Sequence, residues 1–201
     1  MKISVKVPAT SANLGPGFDS LGLALDLWNE TTITLAIEFS VRVKGEGMDK
    51  LATGKNNLII RAAQRLAEFA GRSLPPFHAD CVNQIPLSSG LGSSAAATLT
   101  GLLAGNALLG KPLLREEILS LATELEGHPD NVAPALMGGL VVSTMDHDDK
   151  VIARQIPTDS AMQITIALPD FELSTQEARG VLPEANTGVV ARTVAPRRSS
   201  Y

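Results

Sequence analysis

The stretch over residues 86–97 constrains this chain more than any other part of its sequence. It reads P-L-S-S-G-L-G-S-S-A-A-A, a turn of glycine and serine that runs directly into an alanine-rich segment of high helix propensity. Gly90 and Gly92 can adopt positive φ angles and carry no side chain that would keep a ligand away. Ser93 and Ser94 stand at a helix start, which favours anions. The stretch predicts a phosphate-binding loop, and a serine-capped buried helix after a flexible turn is the alternative that stays open.

The two most familiar phosphate-loop patterns do not explain this stretch. In the pattern G-x-x-x-x-G-K-[ST], the pair Gly54-Lys55 would need a glycine at Asp49 and a serine or threonine at Asn56. The dinucleotide pattern G-x-G-x-x-G does not occur either. We therefore expect a phosphate loop of another class.

Composition and charge argue against several classes of function. A net charge of −4, from 17 basic and 21 acidic residues, disfavours a nucleic-acid partner, and 3% aromatic residues are too few for base-stacking platforms. Cys81 is the only cysteine, so no internal disulfide can form and a cytoplasmic location is expected. We expect no signal peptide, no membrane partner and, from the spacing of the three histidines, no zinc site.

The N-terminal segment predicts a strand followed by a site-bearing loop. Residues 3–7 alternate apolar and polar side chains, the pattern of a half-buried strand, which we expect to end at Pro8. The polar, glycine-punctuated segment that follows carries Asn13 and Asp19. Because functional residues concentrate on loops, both are candidate site residues.

The rest of the chain predicts a mixture of strands and helices without strict alternation. The pattern over 27–43 indicates a strand meander with turns at 28–29 and 45–47. Helices are predicted at 58–70, 93–109 and 116–126, further strands at 77–85, 139–144, 151–156 and 162–168, and a last helix from Ser174. This order favours an α+β fold over a doubly wound one.

Three more segments, together with the phosphate loop, closely resemble one family of enzymes. They read P-A-T-S-A-N-L-G-P-G-F-D at 8–19, E-G-H-P-D-N-V-A-P-A at 126–135 and L-S-T-Q-E-A-R-G-V-L-P at 173–183. In order and spacing they resemble the homoserine kinases of the GHMP small-molecule kinase superfamily, across roughly residues 1 to 184. The resemblance implies phosphorylation of the L-homoserine side-chain hydroxyl to O-phospho-L-homoserine, in threonine biosynthesis, with ATP and Mg²⁺. It also implies a homodimer in the full-length family.

The resemblance further implies a domain organisation. It places an N-terminal ATP-binding domain, of the ribosomal protein S5 domain 2-like fold, over 1–156 and the start of a ferredoxin-like C-terminal domain over 157–184. Residues 185–201 depart from the family pattern, which continues with a long helix and a second glycine-rich motif, G-S-G-P. We interpret them as a disordered tail, and the chain as a truncated or frame-shifted product or an unusual short version. Alone, such a chain is expected to have little or no kinase activity and to be poorly stable.

By resemblance, the nucleotide lies against the loop, with Asn57 beside the adenine. The matching loop residues are Pro86, Leu87, Ser88, Ser89, Gly90, Leu91, Gly92, Ser93, Ser94, Ala95 and Ala96. The implied magnesium ligands are Ser94 and Glu124, a hydroxyl and a carboxylate that leave room for water and phosphate oxygens. Glu126 is the competing candidate for the carboxylate.

The resemblance also implies substrate contacts, from Asn13, Asp19, Asn131, Thr175 and Arg179. Asp19 suits the ammonium group of an amino acid, and the guanidinium of Arg179 suits its carboxylate. Asn131 stands where related kinases have an aspartate, and an amide cannot act as a base, so we expect catalysis by positioning and charge neutralisation. Taken singly, such residues are as often turn formers, helix caps or solvated surface groups.

Two other functions stay open at this point. One is another kinase of the superfamily that acts on a different small alcohol, although Asn13, Asp19 and Arg179 fit a zwitterion better than a sugar. The other is a truncated, non-catalytic kinase-like domain kept for binding, which only the unusual C-terminal residues favour.

Overall fold

The structure is a computed structural model that describes residues 2–148, 150–159 and 161–168. Within these residues the chain forms six strands and four helices. In chain order they are β1 (Lys2–Ala12), β2 (Leu21–Leu35), β3 (Ser40–Gly45), α1 (Leu58–Phe69), β4 (Phe77–Asn83), α2 (Ser93–Leu108), α3 (Arg115–Glu126), α4 (Pro129–Met137), β5 (Leu140–Met145) and β6 (Val151–Ile156). None of these four helices has the length and apolar character needed to span a membrane.

A single mixed sheet is built around β2, its longest strand. β1 pairs antiparallel with β2 along one side. On the other side, the C-terminal part of β2 pairs with β4 and its first residues pair with β5, both antiparallel. β3 lies parallel to β4 at one edge, and β6 lies antiparallel to β5 at the other. The predicted α+β class is therefore confirmed.

The helices cover one face of this sheet and enclose an aliphatic core. α2 and α4 contact β1, and α1 and α3 contact α2. Fully buried residues come from both layers, among them Ile33 and Phe77 from the sheet and Ile60, Leu99 and Leu102 from the helices. Burying one such side chain stabilises the fold by about 1.5–3 kcal/mol, so the core holds the surrounding loops in place.

Two glycines on α2 allow α1 to pack closely against it. A Cβ atom at Gly101 would overlap the carbonyl oxygen of Ile59, and one at Gly105 would lie 3.2 Å from the Cα atom of Ala63. Any larger residue would push the two helices apart. The start of α1 therefore lies directly beside α2.

Most of the predicted elements are confirmed within a few residues. The helices predicted at 58–70, 93–109 and 116–126 are α1, α2 and α3, and the strands predicted at 77–85, 139–144 and 151–156 are β4, β5 and β6. Gly71 and Gly127 follow α1 and α3 with φ angles of 61° and 83°. This left-handed conformation is typical of glycine after a helix.

Two expectations about the first strands are wrong. β1 does not end at Pro8 but continues to Ala12. Its register against β2 shifts between Pro8 and Thr10, and this irregularity accommodates the proline, which has no N–H group to donate. The turn expected at Trp28-Asn29 does not form, since both residues lie inside β2 and pair with β1. The site-bearing loop is accordingly shorter, over 13–20.

The expected meander and the expected strand at 162–168 are also wrong. β3 pairs in parallel with β4 rather than folding back on β2, so the turn at 45–47 leads into a crossover. Over 162–168 the alternating apolar side chains are 42–49% exposed and pair with no strand in the described part of the chain. An alternating pattern forms a strand only beside a partner.

One helix was not predicted. α4 begins with Pro129 and contains Pro134, and two prolines within six residues resemble turn punctuation in the sequence. Proline is nevertheless well suited to the first turn of a helix. The helix expected from Ser174 and the tail over 185–201 lie outside the described residues.

Candidate active site

The phosphate loop is fixed at its start by a side chain from the central strand. Asn29 of β2 is buried, and its Oδ1 atom accepts hydrogen bonds from the N–H groups of Gln84 (2.8 Å) and Ile85 (3.1 Å). These two residues connect β4 to the loop over 86–92. The entry point of the loop therefore depends on an amide in the middle of the sheet, which the sequence pattern did not indicate.

The loop ends at an uncapped helix N-terminus. Gly90 and Gly92 have φ angles of 74° and 69°, and Ser88 has a φ of 51°. Gly92 is the N-cap of α2, and no side chain in the described part of the chain caps this helix. The alternative of a serine-capped helix is therefore wrong. The first N–H groups of α2 lack a side-chain acceptor, which is the arrangement that binds anions.

A cavity of about 240 Å³ lies at this helix start. Pro86 and the residues from Ser88 to Ser94 line one side of it. The other side is formed by Glu126 at the end of α3, by His128 and by Asn131 of α4. The structure thus brings together the loop motif and the motif at 126–135, which are separate in the sequence.

The carboxylate that reaches the loop is Glu126. Its Oε2 atom accepts a hydrogen bond from Ser94 Oγ (2.7 Å), and its Oε1 atom accepts one from Thr98 Oγ1 (2.6 Å). Glu124, the expected partner of Ser94, instead forms an exposed ion pair with Arg65 (2.9 Å). Two residues along a helix differ by about 200° in direction, so only one of the two glutamates can face the loop. The contact with Ser94 therefore favours Glu126 over Glu124, and metal binding by either carboxylate stays a prediction.

A second cavity of about 380 Å³ continues from the first and shares Ser88, Ser93 and Ser94 with it. Asn57 lies in its wall, as expected for a residue near the adenine. Its carboxamide is already engaged, because Oδ1 caps α1 at the N–H of Ile59 (2.9 Å) and Nδ2 donates to the carbonyl of Ala52 (2.7 Å). Asn57 therefore shapes the cavity wall through its cap, and a contact with adenine stays a prediction.

Cys81 also lines this second cavity, although the sequence gave no reason to expect it there. The side chain is 2% exposed, and its sulfur accepts a hydrogen bond from Thr31 Oγ1 (3.5 Å). Burial, the largest effect, raises the pKa of the thiol above its usual value; the hydrogen bond from Thr31 partly offsets this, and the nearby Asp80 charge adds to the increase. The thiol is therefore held in its neutral form at neutral pH.

The loop with the expected substrate residues lies at the end of β1. Asn13 and Asp19 both have positive φ angles, 69° and 54°, and Asn13 Oδ1 accepts a hydrogen bond from the N–H of Asp19 (3.1 Å). The base of this loop is close to α4, because a Cβ atom at Gly22 would overlap the carbonyl oxygen of Asp130. The structure thus places this loop beside the helix that carries Asn131. Thr175 and Arg179 lie outside the described residues.

Asn131 sits in a partly buried network of hydrogen bonds. Its Oδ1 atom accepts from Thr10 Oγ1 (2.8 Å), and its Nδ2 atom lies 3.4 Å from Asp130 Oδ1. The same Asp130 oxygen contacts His128 Nδ1, while Oδ2 has no hydrogen-bond partner among the described residues. Asp130 is only 1% exposed, so its carboxylate is shielded from solvent, whereas Asn131 and His128 face the cavity.

The chain is similar to known proteins. Residues 57–139 match the family described as the GHMP kinases N terminal domain. A homoserine kinase from Carboxydothermus hydrogenoformans is 47% identical over 182 residues, which cover 90% of this chain and 59% of that protein. Another homoserine kinase, from a Synechococcus species, is 40% identical over an alignment that covers 97% of this chain and 68% of that protein.

The likeness extends to solved structures. The crystal structure of homoserine kinase from Cytophaga hutchinsonii matches with a TM-score of 0.74 at 32% identity, over 91% of this chain and 60% of that one. The chain spans about three-fifths of the length of several curated relatives that it matches.

Proposed function

The chain belongs to the homoserine kinases of the GHMP kinase family, and on that premise we propose that it transfers the γ-phosphoryl group of ATP to the side-chain hydroxyl of L-homoserine. The observation that carries the proposal is the uncapped start of α2, with Ser94 and Glu126 joined beside it. The product is O-phospho-L-homoserine, an intermediate of threonine biosynthesis. We place the reaction in the cytoplasm, where the single cysteine stays reduced.

In this proposal, the nucleotide occupies both cavities. The adenosine enters the larger one, whose volume of about 380 Å³ suits a small ligand. The triphosphate lies along the serines that the two cavities share and ends at the N-terminus of α2. Backbone N–H groups and the helix dipole stabilise the phosphate charges there.

Ser94 and Glu126 would hold Mg²⁺. Their oxygen atoms lie 2.7 Å apart, and a hydroxyl with a carboxylate is a donor set that this ion accepts, with water and phosphate completing the shell. Thr98 keeps the carboxylate directed at Ser94 by its hydrogen bond to the second oxygen. When bound, Mg²⁺ supplies neutralisation of the charge on the transferring phosphoryl group.

The amino acid substrate would lie between the loop over 13–20 and α4. The Asp19 carboxylate suits its ammonium group, and Asn13 fixes the loop by its hydrogen bond to the Asp19 backbone. Arg179 suits the α-carboxylate, and Thr175 precedes it by four positions in the sequence. Charges at both ends favour a zwitterion over a sugar or a sterol precursor.

Phosphoryl transfer here needs no dedicated base. The hydroxyl oxygen of the substrate bonds to the γ-phosphorus while the bond from phosphorus to the β,γ-bridging oxygen breaks, and ADP leaves with that electron pair. Asn131 faces the cavity but cannot take the hydroxyl proton, which passes to the phosphoryl oxygens or to water. Positioning and charge neutralisation then supply the catalysis, as is usual for this chemistry.

The test incubates the 201-residue chain with ATP, Mg²⁺ and L-homoserine and detects phosphorylated products by ³¹P NMR. We expect O-phospho-L-homoserine, even at a rate far below the roughly 1–100 s⁻¹ typical of kinases. Phosphorylation of a competing sugar or hydroxy acid, but not of homoserine, would show that the substrate is wrong. Nucleotide binding without transfer to any alcohol would favour a non-catalytic binding domain.

A further inference from the structure

Thr10 contacts both halves of the site at once. It is completely buried near the end of β1. Its backbone N–H donates to the carbonyl of Leu91 in the phosphate loop (3.0 Å), and its hydroxyl donates to Asn131 Oδ1 (2.8 Å). A Cβ atom at Gly92 would overlap this hydroxyl, so the loop lies directly against it.

The neighbours of Asn131 determine which way its amide points. The carboxylate of Asp130 can only accept hydrogen bonds, so the N–H side of the Asn131 amide must face it. In the structure, Asn131 Nδ2 lies 3.4 Å from Asp130 Oδ1. Rotating the amide by 180° would direct its oxygen at the carboxylate, which is repulsive. The oxygen therefore faces Thr10, whose hydroxyl donates to it.

This arrangement leaves one N–H of the amide for the cavity. One hydrogen of Nδ2 is directed at Asp130, and Oδ1 is engaged by Thr10. Asn131 lines the phosphate cavity, so its second N–H is the group that it can offer to a ligand there. An N–H group binds the lone pair of an alcohol oxygen and leaves the proton of that alcohol free to depart.

We propose that Thr10 is a positioning residue for phosphoryl transfer, which locks the Asn131 amide so that its free N–H holds the acceptor oxygen of the substrate. This inference rests on the proposed function. Because Thr10 also bonds to the phosphate loop, one residue sets the position of the acceptor relative to the phosphate donor. Small misplacements at such a point reduce transfer without a matching loss of nucleotide affinity.

Three variants of the full 201-residue chain test the proposal. Thr10→Val removes the hydroxyl but keeps the shape and the backbone N–H, and Thr10→Ser restores the hydroxyl. Thr123→Val is the matched control, because Thr123 is also buried but its hydroxyl bonds only to the Leu119 carbonyl of its own helix (2.9 Å). If Thr10→Val does not fold, Thr10→Ala replaces it as the variant without the hydroxyl and is compared with Thr10→Ser in the same way.

The first readout does not depend on activity. The side-chain amide signals of Asn131 are observed in ¹⁵N–¹H correlation spectra and assigned by their loss in Asn131→Ala. In Thr10→Val we expect their chemical shifts to move toward those of an amide without hydrogen-bond partners. In Thr10→Ser and Thr123→Val the chemical shifts should not change. Unchanged signals in Thr10→Val would overturn the proposal, whether or not the chain phosphorylates homoserine.

The second readout separates catalysis from binding. We expect kcat for homoserine to fall by about 10- to 100-fold in Thr10→Val, the loss of one hydrogen bond in a buried network, with the Kd for ATP unchanged. Thr10→Ser should recover most of that rate. If the ATP affinity falls as much as kcat, Thr10 acts through the loop alone and the proposal is wrong. A wild-type chain that makes no phosphohomoserine counts against the proposed function, and the amide signals still decide the role of Thr10.

Discussion

Ser94 Oγ lies 2.7 Å from Glu126 Oε2, and this hydrogen bond joins the first turn of α2 to the last turn of α3. Thr98, one turn further along α2, binds the other oxygen of the same carboxylate. Two hydroxyls thus hold Glu126 at the phosphate loop. Substitution of this carboxylate is therefore the most direct test of the proposed metal site.

Glu126→Gln should weaken the Mg²⁺-dependent binding of ATP, because an amide is a poorer ligand than a carboxylate for this ion. We expect the Mg²⁺ concentration needed for half-maximal ATP binding to rise about tenfold or more, as for a lost charged contact. Glu124→Gln is the matched control and should cost less than about 1 kcal/mol of stability, since its ion pair with Arg65 is largely exposed. A larger effect on Mg²⁺ from Glu124→Gln would contradict the assignment.

Gly92→Val should abolish nucleotide binding. The new side chain would overlap Thr10 Oγ1, would crowd Asn131 Oδ1 at 3.0 Å from its Cβ, and would occupy a φ of +69°. Titration with a fluorescent ATP analogue measures the loss. Gly110→Val is the control, because Gly110 has a similar φ of +77° but no atom within 4 Å of a Cβ placed there. If a folded Gly92→Val protein binds ATP normally, the loop is not the phosphate site.

Asp130→Asn should reduce kcat by less than about 10²-fold and leave the pH profile of kcat unchanged. The carboxylate is 1% exposed and is hydrogen-bonded to His128 and Asn131, so it is poorly placed to take a proton from a substrate in the cavity. The loss of a general base costs up to about 10⁴-fold. A fall of that size in steady-state assays, with homoserine binding intact, would identify Asp130 as the base.

Asp19→Asn and Arg179→Ala should each weaken homoserine binding by about 2–5 kcal/mol, the usual result of leaving a desolvated charge without its partner. ATP affinity should change little, and isothermal titration with each ligand separates the two effects. Asp148→Asn, an exposed acid in the turn before β6, controls for the change in net charge. Equal losses for ATP and homoserine would place these two residues elsewhere.

Cys81 should make the stability of the fold decrease at high pH. Burial raises the pKa of its thiol in the folded state, while the unfolded chain ionises near about 8.5. Below that value both states are protonated and the group has no effect. Above it only the unfolded state loses the proton, so the free energy of unfolding falls, by at most about 1.4 kcal/mol per pH unit, until the folded thiol ionises too.

Urea unfolding between pH 7 and pH 10 measures this effect, and the comparison with Cys81→Ala isolates it from other titrating groups. The variant should lack that part of the slope. Parallel curves for the two proteins would show that the thiol does not have a raised pKa.

The conformation of the glycine-serine loop and the three long helices were predictable because their signals are local. Glycines, serines and apolar spacing within a few residues determine a turn or an amphipathic face. The choice between Glu124 and Glu126 was not predictable, since it depends on how α3 is rotated against α2. The parallel pairing of β3 with β4 and the path of β2 through Trp28 are decided by neighbours distant in the sequence. The role of Thr10 likewise exists only once β1, the loop and α4 meet.

The two hydrogen bonds that Asn29 accepts from the N–H groups of Gln84 and Ile85 connect the middle of the sheet to the proposed ligand site. The loop has its binding shape only while β2 and β4 remain paired, because the amide that fixes its entry belongs to β2. If the loop binds a nucleotide as proposed, the nucleotide opposes every opening that separates these two strands, by a free energy that grows with the logarithm of its concentration. Openings confined to the β5–β6 hairpin leave both hydrogen bonds intact, so the proposed ligand would protect the centre of the sheet from opening but not this edge.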